Sequence, residues 1–391
     1  MQQFMDISKL YQGMQNNVLH IFSNIIFSKG YSCAVIIDTQ HKKTYFVPNS
    51  FVDFVIKIEG YSLKDIYQSF SQSREIVDEY LEFIAQNSIG AFLTKSEIKN
   101  FTKMSLNYTS PYCFENAIVD IANYSINTEK IISKLNEISV GYIQLRFLEH
   151  CEQADLEKCL NLINSLSFEF CSLVLPYTPF LLTAEEDDVG NKIFADYPKL
   201  DNITIYNHLD DKIEHAHDKA IIYTSVKDIK EAGCGAVQKE YFSVDTRHIL
   251  QSMHFNTCLY KKIHVSESGN IKNCPYSMHE YGYFLDLSNG EVLKLTKNTE
   301  FICLWNTKKD LIDVCKDCEF RYLCTDCRCF IKDPQNIYSQ PSKCSYNPYI
   351  AKWDGEDGYV PVEDCGHYSK ETGFVPNHEK IAEINSKLWS D

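Results

Sequence analysis

Apolar positions recur along this chain with two different periods, and the changes of period divide it into three regions. Residues 18–27 and 33–38 are dense in β-branched and aromatic side chains, and residues 44–47 repeat that character after the polar break Thr39-Gln40-His41-Lys42-Lys43. The last two segments are spaced as a hairpin. Pro48-Asn49-Ser50 stops the strand, and Phe51, Phe54, Val55 and Ile58 then recur on one helical face, with Gly60 placed as a C-terminal cap. Val77, Tyr80, Leu81 and Ile84 make a second such face inside a helix expected over residues 74–87.

From Asn116 the period switches between two and 3.6. Strands are expected at 117–121, 142–148 and 168–175, helices at 128–138 and 155–166, and further strands at 203–206 and 220–223. Alternation of this kind implies parallel βαβ units, and five strands are too few to close an eight-stranded barrel. Glu185-Glu186-Asp187-Asp188 reads as a solvated loop. Beyond about Arg247 the pattern is broken by Cys, Tyr and Gly, and no internal repeat is visible.

Charge and composition narrow the class. With 38 Lys+Arg against 53 Asp+Glu the net charge is −15, and no basic run exceeds short pairs such as Lys42–Lys43, so nucleic acid is not an expected partner. The first thirty residues hold no basic segment followed by an apolar one, and no run approaches the roughly eighteen apolar residues that span a bilayer. A cytoplasmic protein without a membrane partner is expected. There its 16 cysteines would be thiols or metal ligands, and nine of them fall between Cys258 and Cys344.

Those cysteines have a register. Cys258 is followed by ten residues, Gly269, four residues and Cys274; then come Cys315-x2-Cys318-x5-Cys324-x2-Cys327, and Cys344 after a gap. Paired C-x2-C spacing suits thiolate ligation of an iron–sulfur cubane or, alternatively, of tetrahedral zinc. The whole register resembles the SPASM domain of peptide-maturing radical S-adenosylmethionine enzymes, with one departure. Where the family has a cysteine, position 328 is Arg328, flanked by Cys327 and Cys329. The resemblance implies one or two 4Fe-4S clusters: Cys315, Cys318, Cys324 and Cys344 on one, Cys258, Cys274 and Cys327 or Cys329 on the other. His264, the spare cysteine of that pair, or no protein group would complete the second set.

The middle region resembles part of the radical S-adenosylmethionine barrel, yet the C-x3-C-x2-C that the family carries after its first strand is missing. That loop here is Ala122-Asn123-Tyr124-Ser125-Ile126, and the triad occurs nowhere in the chain. The N-terminal hairpin and helices resemble the PqqD-like precursor-recognition element, which captures a leader peptide as an added strand. Val35, Ile37, Tyr45, Phe46, Phe51 and Phe54 are the candidate peptide contacts.

Together the expected fold is α/β. A winged-helix-like α+β recognition element occupies 1–105, a degenerate partial parallel βα barrel 106–250, and a Cys-rich SPASM-like metal domain 251–391. The arrangement resembles the SPASM protein of grasp-with-spasm maturation systems. It implies a chain, not itself catalytic, that binds a ribosomal precursor (leader) peptide and presents it to an ATP-grasp ligase. The alternatives are a redox or S-adenosylmethionine-dependent maturase using auxiliary clusters, and a zinc-stabilised interaction module.

Other motifs are set aside. His208 and Glu214-His215-Ala216-His217-Asp218 read as a solvated face or loop. Gly233-Cys234-Gly235 lacks a following phosphate-loop Lys-Ser/Thr and reads as a turn, as does Cys365-Gly366-His367. Tyr276, Tyr281, Tyr283, Trp305 and Tyr322 are expected either around the metal loops or as ordinary core aromatics.

Overall fold

The structure is a computed structural model that describes residues 11–178, 189–216, 218–229, 234–235, 237–369 and 371–388. The acidic run at 185–188 and His217 lie outside these residues. Among the described residues, no helix is long and apolar enough to cross a membrane.

The N-terminal region contains β1 (Val18–Ile21), β2 (Ile25–Lys29), β3 (Ala34–Asp38), β4 (Lys43–Val47) and β5 (Gly90–Leu93). β2, β3 and β4 form an antiparallel sheet, and β1 pairs with β5. The expected helices are present as Asn49–Ile58 and Arg74–Gln86; Gly60, at φ +83°, is the left-handed residue just beyond the first. A helix at Leu63–Ser69 was not expected; Ser62 caps it by accepting from the Asp65 amide. Every residue of β3 is buried. Ala34 and Ile36 pack among Phe51, Val55, Leu81 and Ile84, while Val35 and Ile37 pack on the opposite side against Ile249, Phe320, Leu323 and Tyr346 of the later chain.

The central sheet has eight strands. Its members are β6 (Asn116–Ile121), β7 (Tyr142–Phe147), β8 (Phe170–Pro176), β9 (Leu200–Tyr206), β10 (Lys212–Ala216), β11 (Lys219–Tyr223), β12 (Lys262–Val265) and β13 (Ile271–Lys272), in the order β10-β11-β9-β8-β7-β6-β12-β13. The six inner strands run parallel, and β10 and β13 are antiparallel edges. Helices Ile126–Glu137 and Gln153–Ser165 cover one face through Ile132, Leu135, Cys159 and Leu160, packed on Val119, Leu145 and Leu173. Alternation along each strand sends Asp120, Arg146, Ser172, Tyr206 and His264 to the other face. Glu214 and His215, expected on a solvated face or loop, lie on the edge strand β10, with His215 exposed.

The break in pattern near residue 250 is not a break in structure. Residue 250 falls within the helix Thr246–His254, and β12 lies parallel beside β6, so the Cys-rich segment extends the central sheet. Farther on come β14 (Tyr346–Asn347) paired with β15 (Lys352–Trp353), β16 (Gly366–Ser369) paired with β17 (Gly373–Pro376), and the helix His378–Leu388. Cys365 is buried there among Tyr349, Val362 and Phe374, and accepts a hydrogen bond from Asn347.

Candidate metal centre

Cys315, Cys318, Cys324 and Cys344 line one small cavity, walled by Phe242, Phe320, Tyr346 and Trp353. Phe320 is edge-on to Tyr346 with ring centroids 5.0 Å apart, and Tyr346 lies 4.8 Å from Trp353, so the thiols sit in an aromatic enclosure. Cys315 opens a short 3-10 turn, and Val314 before it is held at φ +66°. A β-branched residue there costs on the order of 1–3 kcal/mol, which the packing of the buried Val314 against Tyr349 and Ile350 must offset.

One cation enters this enclosure. Lys309 is buried and donates to Cys324 Sγ at 2.9 Å. Burial alone would depress its ammonium, but Cys324, Cys315 and Asp326 around it hold it above its ordinary value. Burial pushes the Cys315 thiol up to about 12, against the pull of Lys309, and carries Cys318 well above its usual value.

A second group of thiols gathers under β12. Cys274 and Cys329 are 3.6 Å apart at sulfur, and hydrogen bonding links Cys327 both to Cys329 and to Cys234. Cys258 lies in the same electrostatic neighbourhood and accepts from Lys262 Nζ at 3.6 Å. Burial pushes Cys258 up to about 11, whereas the Cys329 contact brings Cys274 down to about 7. An open pocket of about 460 Å³ borders the Cys274 and Cys329 side, with His279, Tyr281 and Cys303 also on its wall.

Local sequence explains how this group is placed. The side chain of Asn256 accepts from the Cys258 and Leu259 amides and donates to Asp326 Oδ2 at 2.8 Å, tying the Cys258 turn to the Cys327 loop. Gly269 turns the chain between β12 and β13 at φ +83°, where an added Cβ would come within 2.3 Å of the Tyr283 ring. Asn273 donates to the carbonyls of Leu259 and Lys262 and closes the stretch before Cys274. Arg328, standing where the family register has a cysteine, is buried in an ion pair with Asp326 at 2.6 Å and donates to the Ile337 and Ser339 carbonyls. It braces the loop instead of facing the thiols.

Cys234 is the residue that sequence reasoning missed, because it lies 24 positions before Cys258. Its signal was the pair of flanking glycines, weighed only as a phosphate loop.

His264 is not among the thiols. It sits on β12 with Nε2 donating to Asp120 Oδ2 at 3.0 Å, while Arg146 grips the same carboxylate through Nε at 2.6 Å and Nη2 at 2.7 Å. All three are buried. Burial works against the Asp120 carboxylate, but His264 and Arg146 keep it below its ordinary range; burial also keeps His264 below its ordinary value. This network lies near the carboxyl ends of β6, β7 and β12. After β6 the chain turns at once into its helix through Ser125, whose side chain and amide pair with Thr128.

The N-terminal candidates divide. Val35, Ile37, Phe51 and Phe54 are buried in two cores. Tyr45 is partly buried edge-on to Phe83, and Phe46 is 51% exposed on β4, with its ring 5.4 Å from Phe320. Among the described residues β4 is the outer strand of its sheet and pairs only with β3.

Of the expected aromatics, Tyr276 packs against Phe330 beside the second thiol group, and Tyr283 against Gly269. Tyr281 and Trp305 both pack on Phe301 in the central core, while Tyr322 bonds to Asp310. Among the described residues no three His, Cys, Asp or Glu side chains converge closely enough to hold a single metal ion.

No protein family matches the chain in sequence, and no curated protein does. Solved structures similar to it include SuiB of Streptococcus suis alone, bound to S-adenosylmethionine, and bound to precursor peptide SuiA. Each is 11% identical with a TM-score of 0.32; the alignments cover 83%, 80% and 83% of this chain and 99%, 96% and 99% of theirs.

Proposed function

We propose that this chain is a peptide-binding component of a ribosomal-peptide maturation system, carrying two 4Fe-4S clusters and presenting a precursor to a partner ATP-grasp ligase. The observation that carries this reading is the partition of the C-terminal cysteines into two separate groups, each drawn from distant loops, in a chain whose loop after β6 has no thiol. The ligase comes from the family resemblance alone.

Cys315, Cys318, Cys324 and Cys344 would hold one cluster; Cys258, Cys274 and Cys327 or Cys329 would supply three ligands to the other. The donor set fits: soft thiols, an aromatic wall and a buried ammonium opposite the negative charge of a thiolate cluster. Tetrahedral zinc on the same thiols is the alternative metal, and the metal and sulfide content distinguishes the two. Bound clusters would supply folding free energy and a one-electron couple.

The precursor would add to β4, whose outer edge has no strand partner among the described residues and which bears the exposed Phe46. Backbone hydrogen bonds would give affinity and Phe46 an apolar contact. A redox-active maturase is the second reading, favoured by the open pocket beside Cys274 and Cys329.

Two assays on anaerobic protein test the proposal. Titration with the precursor should show saturable binding, and incubation with S-adenosylmethionine and dithionite should yield no 5′-deoxyadenosine. Reductive cleavage would contradict the non-catalytic reading, and absence of binding would remove the recognition role.

A further inference from the structure

Cys234 sits in a short turn held from two sides. Its carbonyl accepts from Lys343 Nζ at 2.9 Å, and Val237 forms a parallel bridge with Cys344 of the first thiol group. Gly235 adopts φ +83°, and a Cβ there would meet the Phe330 ring at 3.1 Å and Cys327 Sγ at 3.2 Å. A left-handed glycine thus lets the backbone close onto Cys327. The Cys234 thiol is hydrogen-bonded to Cys327 and shares its electrostatic surroundings with Cys258 and Cys274.

His264 does not join the thiols, whereas the spare cysteine of the Cys327/Cys329 pair does, beside Cys234. His264 is bound to Asp120, in a buried network with Arg146 on the sheet face. Arg328 faces Asp326 and two carbonyls. Cys303 is exposed on the rim of the open pocket. Five thiols remain in one neighbourhood: Cys234, Cys258, Cys274, Cys327 and Cys329.

We propose that Cys234 is a ligand of the iron–sulfur cluster held with Cys258 and Cys274, completing the set that the C-terminal register leaves at three. This rests on the cluster reading above. It also gives the Cys327/Cys329 pair one ligand and one neighbour that donates to a ligand sulfur. Ligation would tie Cys234 and Gly235 to the cluster, and so to the Cys-rich region.

The test compares anaerobically purified wild type with Cys234→Ala, Cys234→Ser, Cys318→Ala and, as a control on an exposed thiol, Cys113→Ala. Iron and sulfide per chain are measured along with the electron paramagnetic resonance spectrum after dithionite reduction. If Cys234 ligates, Cys234→Ala loses roughly four of about eight irons, and the signal that survives is the one absent from Cys318→Ala. Cys234→Ser, which keeps the size and offers oxygen, retains more iron but shifts the signal of its own cluster. Unchanged iron and an unchanged spectrum in both Cys234 variants would overturn the assignment while leaving two clusters standing. Wild type without iron would overturn the cluster reading itself, and this inference with it.

Discussion

Lys309 Nζ lies 2.9 Å from Cys324 Sγ, a buried ammonium on a buried thiol, and the partly buried Lys262 donates to the partly buried Cys258 at 3.6 Å. Each thiol group therefore has its own lysine. A buried cation is tolerated only when paired, and the partners of Lys309 are Cys324 and its acidic neighbours Cys315 and Asp326.

Replacing Lys309 by Met keeps the length and removes the charge. A cluster on Cys315, Cys318, Cys324 and Cys344 should then be harder to reduce, because its anionic form loses the nearest positive charge. The expected fall in midpoint potential is on the order of 60 mV, equivalent to about 1.4 kcal/mol for one electron. A redox titration followed by electron paramagnetic resonance checks this; an unchanged potential would mean that the ammonium does not sense the site.

Asp120 and Arg146 give a sharper stability prediction, since both are buried and doubly hydrogen-bonded. Asp120→Ala strands a guanidinium and should cost about 3–5 kcal/mol, read from the urea midpoint. The double variant Asp120→Leu/Arg146→Met should recover most of that loss, because no buried charge remains unpaired.

His264 sets a direction for pH. Its imidazole is buried and held below 6.5, the burial outweighing the pull of Asp120, so it is neutral in the folded chain at neutral pH. As pH falls below 6.5 the unfolded chain takes up a proton that the folded chain does not, and stability declines. Asp120, held below its ordinary 3.8, adds its own loss only at still lower pH. Urea midpoints at pH 7.5 and 5.5 should differ in that sense for wild type and differ less for His264→Asn; a midpoint that rises on acidification would contradict this.

Phe46, half-exposed with its ring edge-on to Phe320, tests peptide capture at the open edge of β4. Phe46→Asp places a charge on the open edge of β4 and should weaken precursor binding about tenfold, or about 1.4 kcal/mol, with circular dichroism unchanged. Equal affinity in the variant would move the peptide off this strand.

What the sequence made legible was local. The helices Asn49–Ile58 and Arg74–Gln86 and the strands β6 to β9 follow from apolar spacing within a dozen residues. β12 was hidden because four residues carry no periodicity and its partner β6 lies 146 positions earlier. In β3 the run Ala34-Val35-Ile36-Ile37 does not alternate, and a non-alternating strand is one covered on both faces. Val35 and Ile37 are accordingly core residues packed on the later chain. Cys234 was missed for a related reason: its partners Cys258, Cys274 and Cys327 come together only through the fold.

The most direct test of two thiol-held clusters is the iron, sulfide and zinc content of anaerobically purified protein, with its visible spectrum. About eight irons and eight sulfides per chain with broad brown absorbance are predicted. About one or two zinc ions, no sulfide and no colour would contradict the account and leave the C-terminal region as a structural zinc module.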